Sequence, residues 1–293
     1  MIREFAPAKI NLTLRVGALR DDAYHPVDSI VTFADWGDEL IVENAEQLSM
    51  SLDGPQSENV PTGEDNLVLG AVRALAKAAG RTPAGKLNLT KNIPAGAGLG
   101  GGSADAAAAL RAFNQLWELD WPLDMLAGIG AEIGSDVPAC IWSQPLRMSG
   151  RGERIRLIED WPEFPALLVN PGVPVSTGRV FTAFDALPIG TGVAFRPLPN
   201  TSANLALQSL RVATNDLTNA SIQVEPVIRD VFEVMETSRS PEMVRMSGSG
   251  ATCFAIYSTM DNRDEAAASI RTERPEWLVQ PVVFSGVSAI TQP

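Results

Sequence analysis

The chain has 293 residues, 45% of them hydrophobic and 20% charged, which supplies a sizeable core and excludes general disorder. Thirty-five acids against 23 bases give a formal net charge of −12, which argues against non-specific nucleic-acid partners and against binding to an anionic membrane. With one histidine, His25, and two cysteines, Cys140 and Cys253, a structural zinc site of Cys and His is excluded, and the cysteines, both in apolar runs, read as buried thiols of a reducing compartment.

Residues 9–16 alternate loosely and end at Gly17. Residues 29–33 and 39–42 are two short β-rich runs. Residues 20–26 form a polar turn that carries His25. Residues 66–79 have helical spacing, with Leu67, Leu69, Val72, Leu75 and Ala76 apolar and Gly80 just past the end. Residues 86–90 read as a strand. A glycine cluster follows, then an alanine-rich segment, 103–119, long enough for a helix of about 25 Å. Trp121-Pro122 stops it, and residues 123–133 predict a further helix ending at Gly134. Past Gly150 the texture changes. A strand over 166–169 ends in Asn-Pro-Gly, and helices are expected near 177–185, 202–210 and 226–237, separated by a Pro- and Gly-rich loop over 187–200. The last part reads strand (243–246), glycine turn, strand (252–257), helix (264–271), strand (277–284).

This is an α+β pattern of local units, with a boundary expected near 150 that separates 1–150 from 151–293. No apolar stretch reaches the 18 or so residues of a membrane-spanning helix, and residues 1–10 carry Arg3, Glu4 and Lys9 where a signal peptide needs an apolar core. The expected location is the cytoplasm, with no membrane partner. Nothing in the sequence sets the oligomeric state.

The densest signal is Pro94-Ala95-Gly96-Ala97-Gly98-Leu99-Gly100-Gly101-Gly102-Ser103, with five glycines in seven residues. Glycine lets backbone N–H groups approach a ligand and take positive φ. The loop opens directly into a helix, whose N-terminus offers unpaired donors and partial positive charge to an anion. Ser103 can cap that helix or turn its hydroxyl to a phosphate or a metal. The plain alternative is a flexible surface turn. A Walker A loop would need lysine before Ser103 and has none. Gly96, Gly98 and Gly101 match the dinucleotide pattern formally, but Asp120, at the right distance for its acid, has no strand before it, so an NAD-dependent oxidoreductase is the weaker alternative.

Three segments together resemble the GHMP kinase family: Ala8-Lys9-Ile10-Asn11-Leu12, the loop 94–107, and Gly248-Ser249-Gly250-Ala251 before a strand. They occur in family order and span most of the chain. Asp22-Ala23-Tyr24-His25 and Gly134-Ser135-Asp136-Val137-Pro138 resemble the branch whose acceptor is a cytidine diphosphate-linked methylerythritol. The resemblance implies a two-domain α+β fold, a ribosomal protein S5 domain 2-like N-terminal domain and a ferredoxin-like C-terminal one. It implies a kinase that uses ATP and Mg²⁺ on a small-molecule substrate, with another GHMP-fold small-molecule kinase as the runner-up. It makes Asp136 the catalytic base and Lys9 its charge partner, in place of the turn residue and exposed strand lysine they would otherwise be. Pro94, Ala95, Gly96, Ala97, Gly98, Leu99, Gly100, Gly101, Gly102, Ser103 and Ala104 would hold ATP, with Asn66 and Lys91 at the adenosine end and Ser103 as the one candidate metal ligand. Asn11, Tyr24, His25, Phe181, Gly248, Ser249 and Gly250 would hold the acceptor. Ala23 stands where the branch has glycine, so a positive φ there would strain it. Because the chain is acidic and both ligands are polyanions, Lys9 and Lys91 are expected to mark a small positive site.

Overall fold

Pairing along one long strand resolves the β-rich N-terminal residues. In the computed structural model, which describes residues 1–58, 60–63, 65–187 and 202–285, β1 (Ile2–Asn11) and β2 (Arg15–Val16) both run antiparallel to β3 (Val27–Glu43). The two runs expected at 29–33 and 39–42 are thus one continuous 17-residue strand. Gly37 and Asp38, between them, do not break it, because each has a buried use. Gly37 lies where the register of β1 shifts between Pro7 and Lys9, and a Cβ there would stand 2.2 Å from the Ala6 carbonyl. Asp38 is fully buried, and its carboxylate accepts from the N–H groups of Asn92 and Ile93.

The chain continues through β4 (Leu48–Asp53), α1 (Leu67–Ala78), β5 (Gly85–Thr90), α2 (Gly101–Leu116), α3 (Leu123–Ile133), α4 (Val137–Trp142), β6 (Leu146–Gly150) and β7 (Arg154–Leu157). It goes on with β8 (Phe164–Asn170), α5 (Thr177–Asp185), α6 (Ala203–Arg211), α7 (Thr218–Val224), α8 (Val227–Glu236), β9 (Met243–Met246), β10 (Cys253–Ile256), α9 (Met260–Glu273) and β11 (Leu278–Ser285). The sequence pattern missed β4, α4, β6, β7 and α7. Helix α4 is six residues long and apolar, β7 is mostly exposed, and α7 (TNASIQV) has no apolar stripe. Most of the loop expected at 187–200 lies outside the described residues. Helix α2 runs on to α3 with no strand between them, which removes the dinucleotide reading of the glycine loop.

Among the described residues the sheet follows the order β4-β5-β3-β11-β8-β10-β9, with β1, β2 and β6 also on β3 and β7 on β6. Among the described strand pairs only β4–β5 is parallel. Helices α1–α4 cover the part of the sheet formed by β1, β3 and β5. The buried alanines 106–109 of α2 let it sit close to α1, α4 and β1. Helices α5, α7, α8 and α9 pack with β8–β11 around Leu167, Val169, Met246 and Cys253. A third cluster (Ile10, Ile30, Phe164, Phe254, Phe284) fills the space between. Cys140 and Cys253 are buried and free, as expected. Burial pushes the Cys140 thiol up to about 12. Among the described residues no helix is long and apolar enough to cross a membrane.

Candidate active site

The glycine loop is fixed by two other segments. Lys9 N–H on β1 donates to the Leu99 carbonyl (2.9 Å), and Ser247 Oγ donates to the Gly98 carbonyl (3.0 Å). Gly98 has φ +76°, and a Cβ on it would lie 2.6 Å from the Ser247 carbonyl oxygen and 2.7 Å from that of Gly250. The loop therefore packs backbone to backbone against the turn at 247–251. It enters α2 two residues earlier than expected: Gly100, at φ +62°, is the N-cap and Ala104 N–H makes the first helical bond, to Gly100. Ser103 thus sits in the first turn and does not cap the helix. The N–H groups of Gly101, Gly102 and Ser103 have no intrahelical acceptor and point out of the helix N-terminus.

The loop lines a cavity of about 910 Å³, at the upper end of the range for small-molecule sites. Of the expected site residues, Leu99, Ala104 and Gly250 do not line it; the first two are buried, and Gly250 packs on Met246 and Ile228. All the others do.

At the floor, Lys9 Nζ lies 3.3 Å from Asp136 Oδ2 and donates to Asn11 Oδ1 (2.9 Å). The Lys9 side chain is 3% exposed and that of Asp136 37%. Asn11 Nδ2 donates to Ser29 Oγ, and the Asn11 N–H to Ser247 Oγ, so its amide is held between strands with its oxygen on Lys9. Asp136 occupies the N-cap position of α4 but makes no capping hydrogen bond, so its carboxylate is left to Lys9 and the cavity.

Lys91 is placed otherwise than a site cation would be. Its Nζ is buried between Asp38 Oδ2 and Asp105 Oδ2, the latter at 2.6 Å. Burial alone would lower the ammonium pKa, but the two carboxylates hold it above its ordinary value. Burial also drives the Asp105 carboxyl well above the usual range; Asp38 adds to this and Lys91 opposes it. Asp105 Oδ1 has no hydrogen-bond partner. Asp38 is the better-served anion, with two backbone donors besides Lys91. Lys91 therefore contributes little net positive charge, and the anion-binding capacity on this side rests on the helix N-terminus. Asn66 caps α1: its Oδ1 accepts from Val68 N–H and its Nδ2 donates to the Pro61 carbonyl.

The opposite end is aromatic. His25 Nδ1–H donates to the Gly17 carbonyl (2.9 Å), which fixes the tautomer. Its Nε2 stands 3.2 Å from Asp185 Oδ1. Phe181 stacks on the imidazole at 5.0 Å and 25°, and Phe184 meets it edge-on. Ala23 has φ +61°, a strained value for alanine that costs about 1–2 kcal/mol. This turn carries Tyr24, 48% exposed, whose ring lies under the Arg151 guanidinium at 3.6 Å. Ser249 Oγ is hydrogen-bonded to Thr177 Oγ1 at the start of α5 (2.9 Å).

Sequence reasoning missed Asp38, Asp105, Arg151, Thr177 and Asp185. A lone acid in the alanine run 104–109 was a usable signal for Asp105, and the i, i+4 spacing from Phe181 was one for Asp185. Asp38, fifty-three residues from Lys91, left none.

Among the described residues no group of three or more His, Cys, Asp or Glu could hold a metal ion. An Mg²⁺ carried chiefly by nucleotide phosphates needs only one or two protein oxygens, and the cavity-lining Ser103 hydroxyl fits that requirement.

Residues 66–144 match the family model for the GHMP kinases N terminal domain, and 202–276 that for GHMP kinases C terminal. A 4-diphosphocytidyl-2-C-methyl-D-erythritol kinase of Paramagnetospirillum magneticum is 42% identical over 276 residues, 94% of this chain and 96% of that protein. The crystal structure of a 4-(cytidine 5'-diphospho)-2C-methyl-D-erythritol kinase superposes with TM-score 0.75 at 29% identity, over 97% of this chain and 100% of that one. A homoserine kinase from Cytophaga hutchinsonii shares the fold (TM-score 0.72, 16% identity, 97% and 94% covered).

Proposed function

This chain belongs to the GHMP kinase family and is a phosphotransferase with an alcohol group as acceptor; from that premise we propose that it moves the γ-phosphoryl group of ATP to a hydroxyl of 4-diphosphocytidyl-2-C-methyl-D-erythritol, giving the 2-phosphate, a step of non-mevalonate isoprenoid precursor synthesis. The observation that carries this reading is the Lys9–Asp136 pair, set in one cavity between the glycine loop and the His25–Phe181 stack.

Phosphoryl transfer asks the protein mainly for positioning and charge neutralisation. The N–H groups at 101–103 and the loop 96–100 receive the nucleotide phosphates, and Gly248 and Ser249, which line the cavity, face the acceptor. Ser103 would hold Mg²⁺, which would supply neutralisation of the phosphate charge. Asp136 accepts the proton of the acceptor hydroxyl. Lys9, buried beside it and oriented by Asn11, stabilises negative charge that develops on the acceptor oxygen. The Nδ1 of His25 is engaged by Gly17, so the ring meets the cytosine edge through Nε2, with the Asp185 carboxylate beside it as an acceptor for the amino group. The Phe181 ring supplies apolar surface for the base. Residues 1–150 carry the nucleotide side in this reading, residues 151–293 close the site, and the enzyme works in the cytoplasm.

The test is ADP release with a panel of acceptors: the cytidine diphosphate-linked methylerythritol, mevalonate, homoserine and galactose. Turnover of the first is expected. Turnover of a non-cytidine acceptor alone refutes the reading.

A further inference from the structure

We propose that Arg151 binds the diphosphate of the acceptor, with the ring of Tyr24 as its platform. The inference rests on the cytidine diphosphate-linked acceptor proposed above.

Three observations meet at this residue. The first is position. Arg151 lies in the turn that follows β6, and that turn rests on the corner between α3 and α4 that carries Asp136: a Cβ on Gly152 would stand 2.6 Å from the Ser135 carbonyl. Its guanidinium lies over Tyr24, next to His25. Arg151 thus bridges the base end and the reacting end of the cavity it lines. In a nucleoside diphosphate-linked alcohol, the diphosphate is the part between those two ends.

The second is charge. The described cations lining the cavity are Lys9, Lys91, Arg151 and, if protonated, His25. Lys9 is engaged by Asp136, Lys91 by Asp38 and Asp105, and His25 faces Asp185. Among the described residues no carboxylate pairs with the Arg151 guanidinium. Glu153, two residues on, accepts from the Arg151 backbone N–H and reaches the Arg154 side chain instead. A diphosphate brought into this acidic protein meets Arg151 as the cation not already neutralised.

The third is preparation. A guanidinium in contact with an aromatic face is held by cation–π attraction while its N–H donors remain at its edge, where they can meet phosphate oxygens in a forked geometry. The contact at 3.6 Å orders a long side chain on the surface and lowers the entropy lost on binding. It also gives the exposed Tyr24 ring a use other than stacking on the base, since one face is already covered.

The experiment compares wild type, Arg151→Ala and Arg151→Lys in steady-state turnover and in competitive inhibition by cytidine and by cytidine diphosphate. In Arg151→Ala the acceptor KM and the inhibition constant of cytidine diphosphate should each rise about tenfold or more. The cytidine constant and the KM for ATP should hold. Arg151→Lys, which keeps the charge and loses the fork, should fall between. If cytidine and cytidine diphosphate weaken together, or neither changes, the inference is overturned. Wild-type protein that neither turns over the acceptor nor is inhibited by cytidine diphosphate overturns the function proposed above, a result distinct from a wild type that works and an Arg151→Ala that works equally well.

Discussion

Replacing Gly98 by alanine tests how tightly the phosphate loop is built into the fold. Gly98 is at φ +76°, which costs an alanine about 1–2 kcal/mol. Its new Cβ would also lie 2.6 and 2.7 Å from the carbonyl oxygens of Ser247 and Gly250. Both obstacles are backbone, so no rotamer change relieves them, and the loop and the turn must part at an overpacking cost of about 1–3 kcal/mol. The sum is about 2–5 kcal/mol. Gly96 supplies the control. It has φ +67°, but the atom nearest to a Cβ at that position would be 3.6 Å away, so Gly96→Ala carries only the backbone strain of about 1–2 kcal/mol. Urea unfolding measures both losses, and the KM for ATP should rise in Gly98→Ala because parting the loop from the turn displaces the phosphate donors. Equal destabilisation by the two substitutions, or a Gly98→Ala protein with wild-type stability, would refute the reasoning.

Asp136→Asn should lower kcat by at least about 100-fold while ATP still binds, as expected for loss of a general base; near-normal turnover would remove Asp136 from the mechanism. His25→Ala should raise the acceptor KM about tenfold and leave that of ATP unchanged, and a change confined to ATP would move His25 out of the base pocket. The two carboxylates on Lys91 should respond unequally. Asp38→Asn removes the better-served anion from a buried cation and should cost about 3–5 kcal/mol, whereas Asp105→Asn should be tolerated. The pH dependence has a sign. The folded Asp105 pKa is raised above 3.8, so the folded state binds the extra proton and the wild type loses stability as pH rises above that value. Asp105→Asn lacks this loss, so its stability relative to wild type should improve as pH rises above about 4 in urea titrations, and parallel profiles would contradict the assignment.

The sequence revealed elements best where one physical signal acted alone. Helices α3 and α5 have their observed limits in the pattern, because a turn residue or cap bounds an apolar spacing at each end. The glycine loop was legible because five glycines in seven residues have few other uses. The continuity of β3 was not, since Gly37 and Asp38 resemble a turn until β1 and the residues after β5 are set against them. Lys91 shows the same limit. Beside a phosphate loop it reads as a cation for the ligand, and only the tertiary fold brings Asp38 and Asp105 to it. The bond from His25 to Gly17, which turns Nε2 toward Asp185, lies equally beyond spacing and composition.

The placement of β11 bears on when the enzyme can first work. Residues 278–285 enter between β8 and β3, with Phe284 opposite Ala34 and Ser285 opposite Phe33, about 250 residues apart in the chain. During synthesis the facing edges of β3 and β8 stay unpaired until this strand has left the ribosome, a long-range closure of the slow kind. The phosphate loop likewise waits for Ser247 and the turn at 248–250. A nascent chain can gather α1–α4 on their strands early, yet it holds no complete nucleotide site until almost all of it has been made. Ligand-dependent stabilisation by ATP is therefore available to the finished protein and not to its growing precursor.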